Sequence, residues 1–339
     1  MTLKARIAGE IRSDGPMPFD RFMELALYSP DGFFGGDTLR SKKSGDFLTS
    51  PEVSNLFGET LAEFVRREYQ RIGDPFEVVE VGAGSGSLIR PLLETHRVPA
   101  RAVEVSPAAR RSLSESVETS DQMPASVRGV IIANELIDNL PMALAQKVGD
   151  VWRERWVGSD ADELTFVDSP PRDKVVGWLD RFAGEVPDGG WVEVQLEAQR
   201  WLGEALDSLE AGSILIIDYG DTAENLIPRR QDGTLRTYRA HHLGPHPLDE
   251  PGETDITADV NFTALMETAV HDTRVVRQDD FLADLGLRER LSQLRTAELA
   301  AARSGEEMER LKVRTLKTEA ETLMHPRGLG DFRVLVVQR

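Results

Sequence analysis

The sequence predicts an α/β fold built on a parallel, doubly wound sheet. Two observations point there. Short apolar runs at 76–81, 101–105, 129–133 and 213–218 alternate with stretches of helical period. The first run ends in the turn Gly82-Ala83-Gly84-Ser85-Gly86, where glycines let backbone approach a ligand before a helix begins. A chain of 339 residues with 40% hydrophobic side chains can also bury the core such a sheet needs.

In chain order, residues 1–28 read as helical, with Leu3, Ile7 and Ile11 spaced four apart, and stop at Ser29-Pro30-Asp31-Gly32. Residues 29–50 are rich in Gly, Ser and Lys and read as loop. Ser50 and Pro51 start a helix (Val53, Leu56, Phe57, Leu61, Phe64) that runs to about Ile72. The helix after the glycine turn carries Pro91, which is tolerable only in its first turn. Ser106 caps another helix from about Pro107. Residues 143–157 and 164–167 resemble a hairpin, and 191–195 a strand. The stretch 220–258, dense in Gly, Pro, Asp and His, is too long for an ordinary connection and reads as a lid or a disordered segment. Helices are expected at 261–270 and 279–321, and 332–338 closes as a strand.

Charge and composition exclude several classes. With 58 acidic and 40 basic side chains the formal charge is −18, which argues against a nucleic-acid binder, since phosphates call for clustered cations. The absence of cysteine excludes disulfides, thiolate metal sites and cysteine nucleophiles. The amino terminus lacks the apolar core of a signal peptide, and no stretch approaches the ~20 apolar residues of a membrane span. The expectation is therefore a cytoplasmic protein without nucleic-acid partner or membrane insertion.

Three segments could carry chemistry. Twenty residues beyond Gly84, Glu104 ends the next strand, where a carboxylate can accept from both hydroxyls of a ribose. Strand, turn, helix and acid together suit a dinucleotide or S-adenosylmethionine, and the G-x-G-x-G spacing fits a dinucleotide less well. Asn134, Glu135 and Asp138 follow the apolar run Val130-Ile131-Ile132 and should emerge at a strand's carboxyl end. There they could hold a cationic substrate or take a proton; they could equally cap a helix. Asp46 and Thr49, in the approach to Ser50 and Pro51, add polar groups that capping does not explain. Three of the six histidines fall within 241–246, without metal-ligand spacing, and read as structural or solvent-facing.

Together these segments resemble the MidA-type S-adenosylmethionine-dependent methyltransferases, whose mitochondrial members assist respiratory complex I assembly by methylating arginine. The family's GDFxTSPExSxxFG stands here as Gly45 to Gly58, and its YxPxxGYY is similar to the segment from Tyr28 to Phe34. Its ExGxGxG stands as Glu80 to Gly86, its acidic strand end as Glu104-Val105-Ser106-Pro107, and its NExxDxLP as Asn134 to Pro141. Asp218-Tyr219-Gly220, then 233–236 with His241, and 255–262 complete the likeness. Ala83 and Ser85 replace a common Pro and Arg of the cofactor turn, and Asp259 and Asn261 stand where the family has His and Asp.

The resemblance implies a Rossmann-like class I methyltransferase fold. Residues 1–74 would form an N-terminal helical and loop extension carrying the GDFxTSPE motif, and 75–339 the methyltransferase domain, with insertions at about 143–211 and 220–325. It implies S-adenosyl-L-methionine as cofactor, met by Asp46, Thr49, Ser50, Glu80, Gly82, Gly84, Gly86 and Glu104. Glu135, Asp138 and Asn134 become the expected catalytic residues, acting on the arginine of a protein partner, a complex I-type subunit being one option. Two alternatives stay open, a non-catalytic assembly factor that keeps the cofactor fold and an NAD-dependent oxidoreductase. So does the oligomeric state, a homodimer included.

Overall fold

Seven strands form the central sheet of the computed structural model, which describes residues 2–36, 49–161, 163–239 and 242–339. Numbered along the chain they are β1 (Glu77–Val81), β2 (Ala100–Val103), β3 (Glu118–Ser120), β4 (Val127–Asn134), β5 (Leu209–Asp218), β6 (Asp272–Arg277) and β7 (Arg333–Gln338). Their order across the sheet is β6-β7-β5-β4-β1-β2-β3. The first five strands run parallel, and β7 enters antiparallel between β5 and β6. The chain winds outward from β1 to β3 and then returns to β4 on the other side of β1. The switch in winding opens a crevice between the carboxyl ends of β1 and β4.

Alternation along the strands builds two cores. Val78, Val130, Ile132, Leu215, Ile217 and Val334 face the helices Leu56–Ile72, Gln278–Asp284, Leu287–Ser304 and Glu307–Leu323. Val79, Ile131, Ala133, Ile214, Ile216 and Leu335 face the helices Leu196–Ser208 and Phe262–Thr268. A second, antiparallel sheet joins Met17–Pro18, Ala143–Val148, Val151–Asp160, Glu163–Ser169 and Trp191–Val194. The helices Leu3–Asp14 and Phe19–Tyr28 pack on one of its faces through Ile7, Phe19 and Met23, against Leu144 and Val157. Among the described residues no helix is long and apolar enough to cross a membrane.

Several expectations are corrected. Gly15 and Pro16 break the first 28 residues into two helices, and Met17–Pro18 becomes an edge strand between them. The span 143–157 is two strands reversing at Gly149, whose amide donates to Asp188 Oδ1 at 2.7 Å, so the hairpin is a three-stranded meander. The described part of 220–258 is ordered by strand pairing and is not an open loop. Gly220–Asp221 pairs with Val260–Asn261, and Arg236–Arg239 pairs with both His242–Leu243 and Asp255–Thr257. The helix expected over 279–321 is three, interrupted at Gly286 (φ 97°) and Gly305 (φ 75°), where the left-handed backbone suits glycine. Strand β6 and the helices Asp173–Phe182 and Leu196–Ser208 are additions that periodicity did not flag.

Candidate active site

The site grows from the ends of four neighbouring strands, β5, β4, β1 and β2. Beyond β1 the turn runs through left-handed backbone at Gly82 (φ 73°), Gly84 (φ 51°) and Gly86 (φ 79°). A Cβ at Gly82 would sit 3.1 Å from Leu136 Cδ1, and one at Gly86 2.4 Å from Leu113 Cδ2, so the turn has no room for side chains. Glu104, at the end of β2 and 7% exposed, ties this turn down. Its Oε2 accepts from the Gly84 amide and its Oε1 from the Ser106 amide, both at 2.8 Å. Each oxygen keeps a lone pair for a further donor.

At the end of β4, Glu135 holds a φ of 49°, in the region a branched-chain or bulky residue avoids, and its amide donates to Ile217 O at 2.8 Å. Backbone strain of this kind clusters where a side chain must be aimed. Glu135 Oε1 accepts from Asn134 Nδ2 at 3.2 Å and from the Ser50 amide at 3.3 Å, so the short helix Ser50–Val53 is docked on it. Contrary to the expectation that capping does not explain Thr49, this residue caps that helix: its amide donates to Glu52 Oε2 at 3.3 Å, the return half of a capping box. The 3-10 turn Ile137–Asn139 follows. Asp218, ending β5, accepts through Oδ2 from the amides of Ile137 (3.0 Å) and Asp138 (3.3 Å), and through Oδ1 from the Tyr219 amide (3.0 Å). Asp138 Oδ2 accepts from the hydroxyls of Thr257, at 2.6 Å, and Tyr219. Asn139 donates to Asp255 Oδ1 and Ile256 O, while Tyr28 OH donates to the Asn139 carbonyl at 3.1 Å.

These elements enclose a cavity of about 170 Å³. Glu80, Asn134, Glu135 and Asp138 line it, and each has a buried oxygen with no partner among the described residues: Glu80 Oε2, Asn134 Oδ1, Glu135 Oε2 and Asp138 Oδ1. The electrostatics follow from that crowding. Burial, then the charge of Glu104, pushes Glu80 up to about 8. Burial, then Asp138, pushes Glu135 up to about 8. Burial also raises Asp138 and Asp218, and both Tyr28 and Tyr219 are held well above the usual phenol range. Acceptors without donors, crowded and poorly hydrated, call for a cation rich in N–H groups.

Of the residues singled out in the sequence, Thr49, Glu80, Gly82, Gly84, Glu104, Asn134, Glu135 and Asp138 line this one cavity. Ser50 is buried beneath it, its hydroxyl against Gln278, and Gly86 packs under Leu113. Asp46 and His241 lie outside the described residues. Among the described residues no group of His, Asp and Glu is placed to hold a metal; His246 meets Phe166 edge-on at 5.4 Å. The reading by residue type assigned no role to Tyr28, Phe33, Phe34 or Tyr219, which complete the wall. Their only signal was membership of the 28–34 and 218–220 segments. The departures at Asp259 and Asn261 serve structural contacts. Asp259 pairs with Arg229 and Arg236, and Asn261 caps Phe262–Thr268 by accepting from the Ala264 amide at 3.2 Å.

Residues 60–279 match the model of a family described as S-adenosyl-L-methionine-dependent methyltransferases. The protein arginine methyltransferase NDUFAF7 homolog, mitochondrial, of Drosophila melanogaster is 29% identical, over 86% of this chain and 77% of its own. Human protein arginine methyltransferase NDUFAF7, mitochondrial, is 28% identical, over 84% and 73%. A crystal structure from Burkholderia thailandensis bound to S-adenosyl-homocysteine superposes with a TM-score of 0.87 at 28% identity, covering 99% of this chain and 92% of that one. The named relatives are mitochondrial, which overturns the expectation of a cytoplasmic location.

Proposed function

Because the chain belongs to the family of S-adenosyl-L-methionine-dependent methyltransferases, with that cofactor and that reaction, we propose that its acceptor is an arginine of a protein substrate. The observation that carries the reading is the set of unpartnered oxygens in one cavity. An arginine guanidinium brings five N–H donors, no acceptor and a permanent charge. The relatives' names, protein arginine methyltransferase, support the same choice. The family leaves no place for the nicotinamide oxidoreductase.

The residues fit the cofactor. The cradle at 82–86 excludes side chains, and Glu80 has a buried oxygen without a donor beside it, suited to an ammonium group. The spare lone pairs of Glu104 suit a ribose diol, and Val105 and Met123, in the adjoining groove, suit a flat purine. When bound, the cofactor supplies a methyl group activated on a sulfonium.

This chain's residues then align the acceptor. Asn134 Oδ1, Glu135 Oε2 and Asp138 Oδ1 hold the guanidinium by its N–H edges and fix which nitrogen meets the methyl carbon. That nitrogen forms the new N–C bond as the C–S bond breaks, the electron pair stays on sulfur, and the nitrogen's proton passes to Glu135. A carboxyl titrating near 8 exchanges a proton readily at neutral pH. Tyr28, Phe33 and Phe34 close the wall and keep water away. Mass spectrometry of methyl-arginine in cells with and without this protein tests the reading and names the substrate, a complex I-type subunit among the options. No arginine whose methylation depends on the protein would sink it.

A further inference from the structure

Asp138 is fixed from three directions. Its amide donates to Asp218 on β5, its carbonyl accepts from the Ala258 amide at 3.2 Å, and its Oδ2 takes both the Thr257 and the Tyr219 hydroxyls. Among the described residues only Oδ1 has no partner. Glu135 is held more loosely, its Oε1 accepting from Asn134 Nδ2 at 3.2 Å and from the Ser50 amide at 3.3 Å, with no hydroxyl on it among the described residues. Thr257 is fully buried and does not line the cavity, so it reaches the site only through Asp138. It is placed by the pairing of Asp255–Thr257 with Arg236–Arg239, in which it opposes Arg236. The Tyr219 ring is held edge-on to Phe332 at 5.5 Å, with the Arg236 guanidinium over its face at 5.8 Å, and its hydroxyl also meets Thr257 Oγ1.

We propose that Thr257 and Tyr219 are positioning residues: their hydroxyls lock Asp138 Oδ2 so that Oδ1 alone receives one N–H of the acceptor guanidinium. The inference rests on the arginine reading given above. It divides the work between two carboxylates three residues apart. Asp138 is a rigid orienter, and Glu135 is the carboxyl free to change protonation.

The brace has a second effect. Glu135 and Asp218 stand beside Asp138, and Asp255, Tyr28 and Tyr219 approach from the elements packed on the turn. Among so many acids, burial raises the Asp138 carboxyl, and the two hydroxyls oppose that rise by stabilising the charged form. Removing one should let the carboxyl keep its proton to higher pH.

The test is a titration of the full chain with bound S-adenosylhomocysteine and aspartate labelled with carbon-13 at the carboxyl, Asp138→Asn identifying the resonance. Thr257→Val keeps the shape and removes the hydroxyl; Thr257→Ser restores it. The Asp138 midpoint should rise by about one pH unit in Thr257→Val and in Tyr219→Phe, and return in Thr257→Ser. Agmatine, used as a guanidinium probe, should bind Thr257→Val about tenfold more weakly than wild type at pH 7, with recovery in Thr257→Ser. A midpoint unmoved in both Thr257→Val and Tyr219→Phe overturns the inference, whatever the acceptor is. A moved midpoint with equal agmatine affinity in wild type and Thr257→Val also overturns it, since the lock then does nothing for the guanidinium. A moved midpoint with no agmatine binding to wild type supports the lock and counts instead against the arginine reading.

Discussion

Replacing Glu80 by Gln should make the cofactor-free protein more stable and the cofactor complex weaker. Glu80 is 4% exposed, and its carboxyl is pushed from the usual 4.5 to about 8. The folded chain therefore binds this proton more tightly than the unfolded chain does. Unfolding releases the proton between about pH 4.5 and 8, so in that window stability falls as pH rises, by about 1.4 kcal/mol per unit. Below 4.5 the penalty is absent, and above 8 it levels off. Integrated to pH 7, the two values give a cost of about 3 kcal/mol, an upper bound because Glu104 shares the interaction. Gln removes the titration while its carbonyl oxygen still accepts from the Ile89 amide, and the orphaned Oε2 has no donor to lose. Urea unfolding at pH 5, 6, 7 and 8 should show the variant gaining on wild type at each step, by up to about 3 kcal/mol at pH 7. S-adenosylhomocysteine affinity should fall at least tenfold, about 1.4 kcal/mol, as an ammonium loses its charged partner. Parallel stability curves would refute the argument, because they would mean that Glu80 is not titrating late.

The acceptor side gives its own tests. Glu135→Gln should slow single-turnover methyl transfer by about 10²-fold or more, with S-adenosylhomocysteine affinity within about threefold of wild type. A wild-type rate would return the residue to a purely structural role. In the wild type, kcat/KM should rise with pH through about 8, because the free enzyme must ionise Glu135 before it can take the acceptor's proton. A profile flat from pH 6 to 9 would point to another base. Glu104→Ala removes the anchor of both the Gly84 and the Ser106 amides, and should lower cofactor affinity at least tenfold, a loss of about 1.5–3 kcal/mol. Calorimetry reads this directly, and normal affinity would move the ribose elsewhere.

The parts of the molecule written in local pattern were legible beforehand. Continuous apolar runs marked β1, β4, β5 and β7, and the helix starts at Ser106 and near Ser50 came from cap chemistry that acts within a few residues. Edge strands were not legible. Strand β6 is half-exposed and ionic, and its pairing with β7 reaches from Asp272 to Gln338, which no local period encodes. The same holds for 220–258, whose strands are two to four residues long and take their order from partners elsewhere. At the site, residue type found the strand-end acids. It missed the brace: a buried threonine and a tyrosine have unremarkable sequence, and their meaning lies in one carboxylate oxygen that both reach across the fold.

The cavity's two walls come from distant parts of the chain, and this bears on how the protein can be cut for study. Tyr28 ends the helix Phe19–Tyr28 and Phe33 and Phe34 lie in the turn that follows it, while the opposite wall is the sheet crevice. A fragment trimmed to the family-matched span, 60–279, would discard the aromatic wall and the helix Ser50–Val53 that donates to Glu135. It would also drop β7, leaving β6 without its neighbour and baring the backbone edge of Ile214 to Asp218. Such a fragment would offer an open adhesive strand and a half-built pocket. Its failure to methylate would be a fault of the cut and would say nothing about the enzyme.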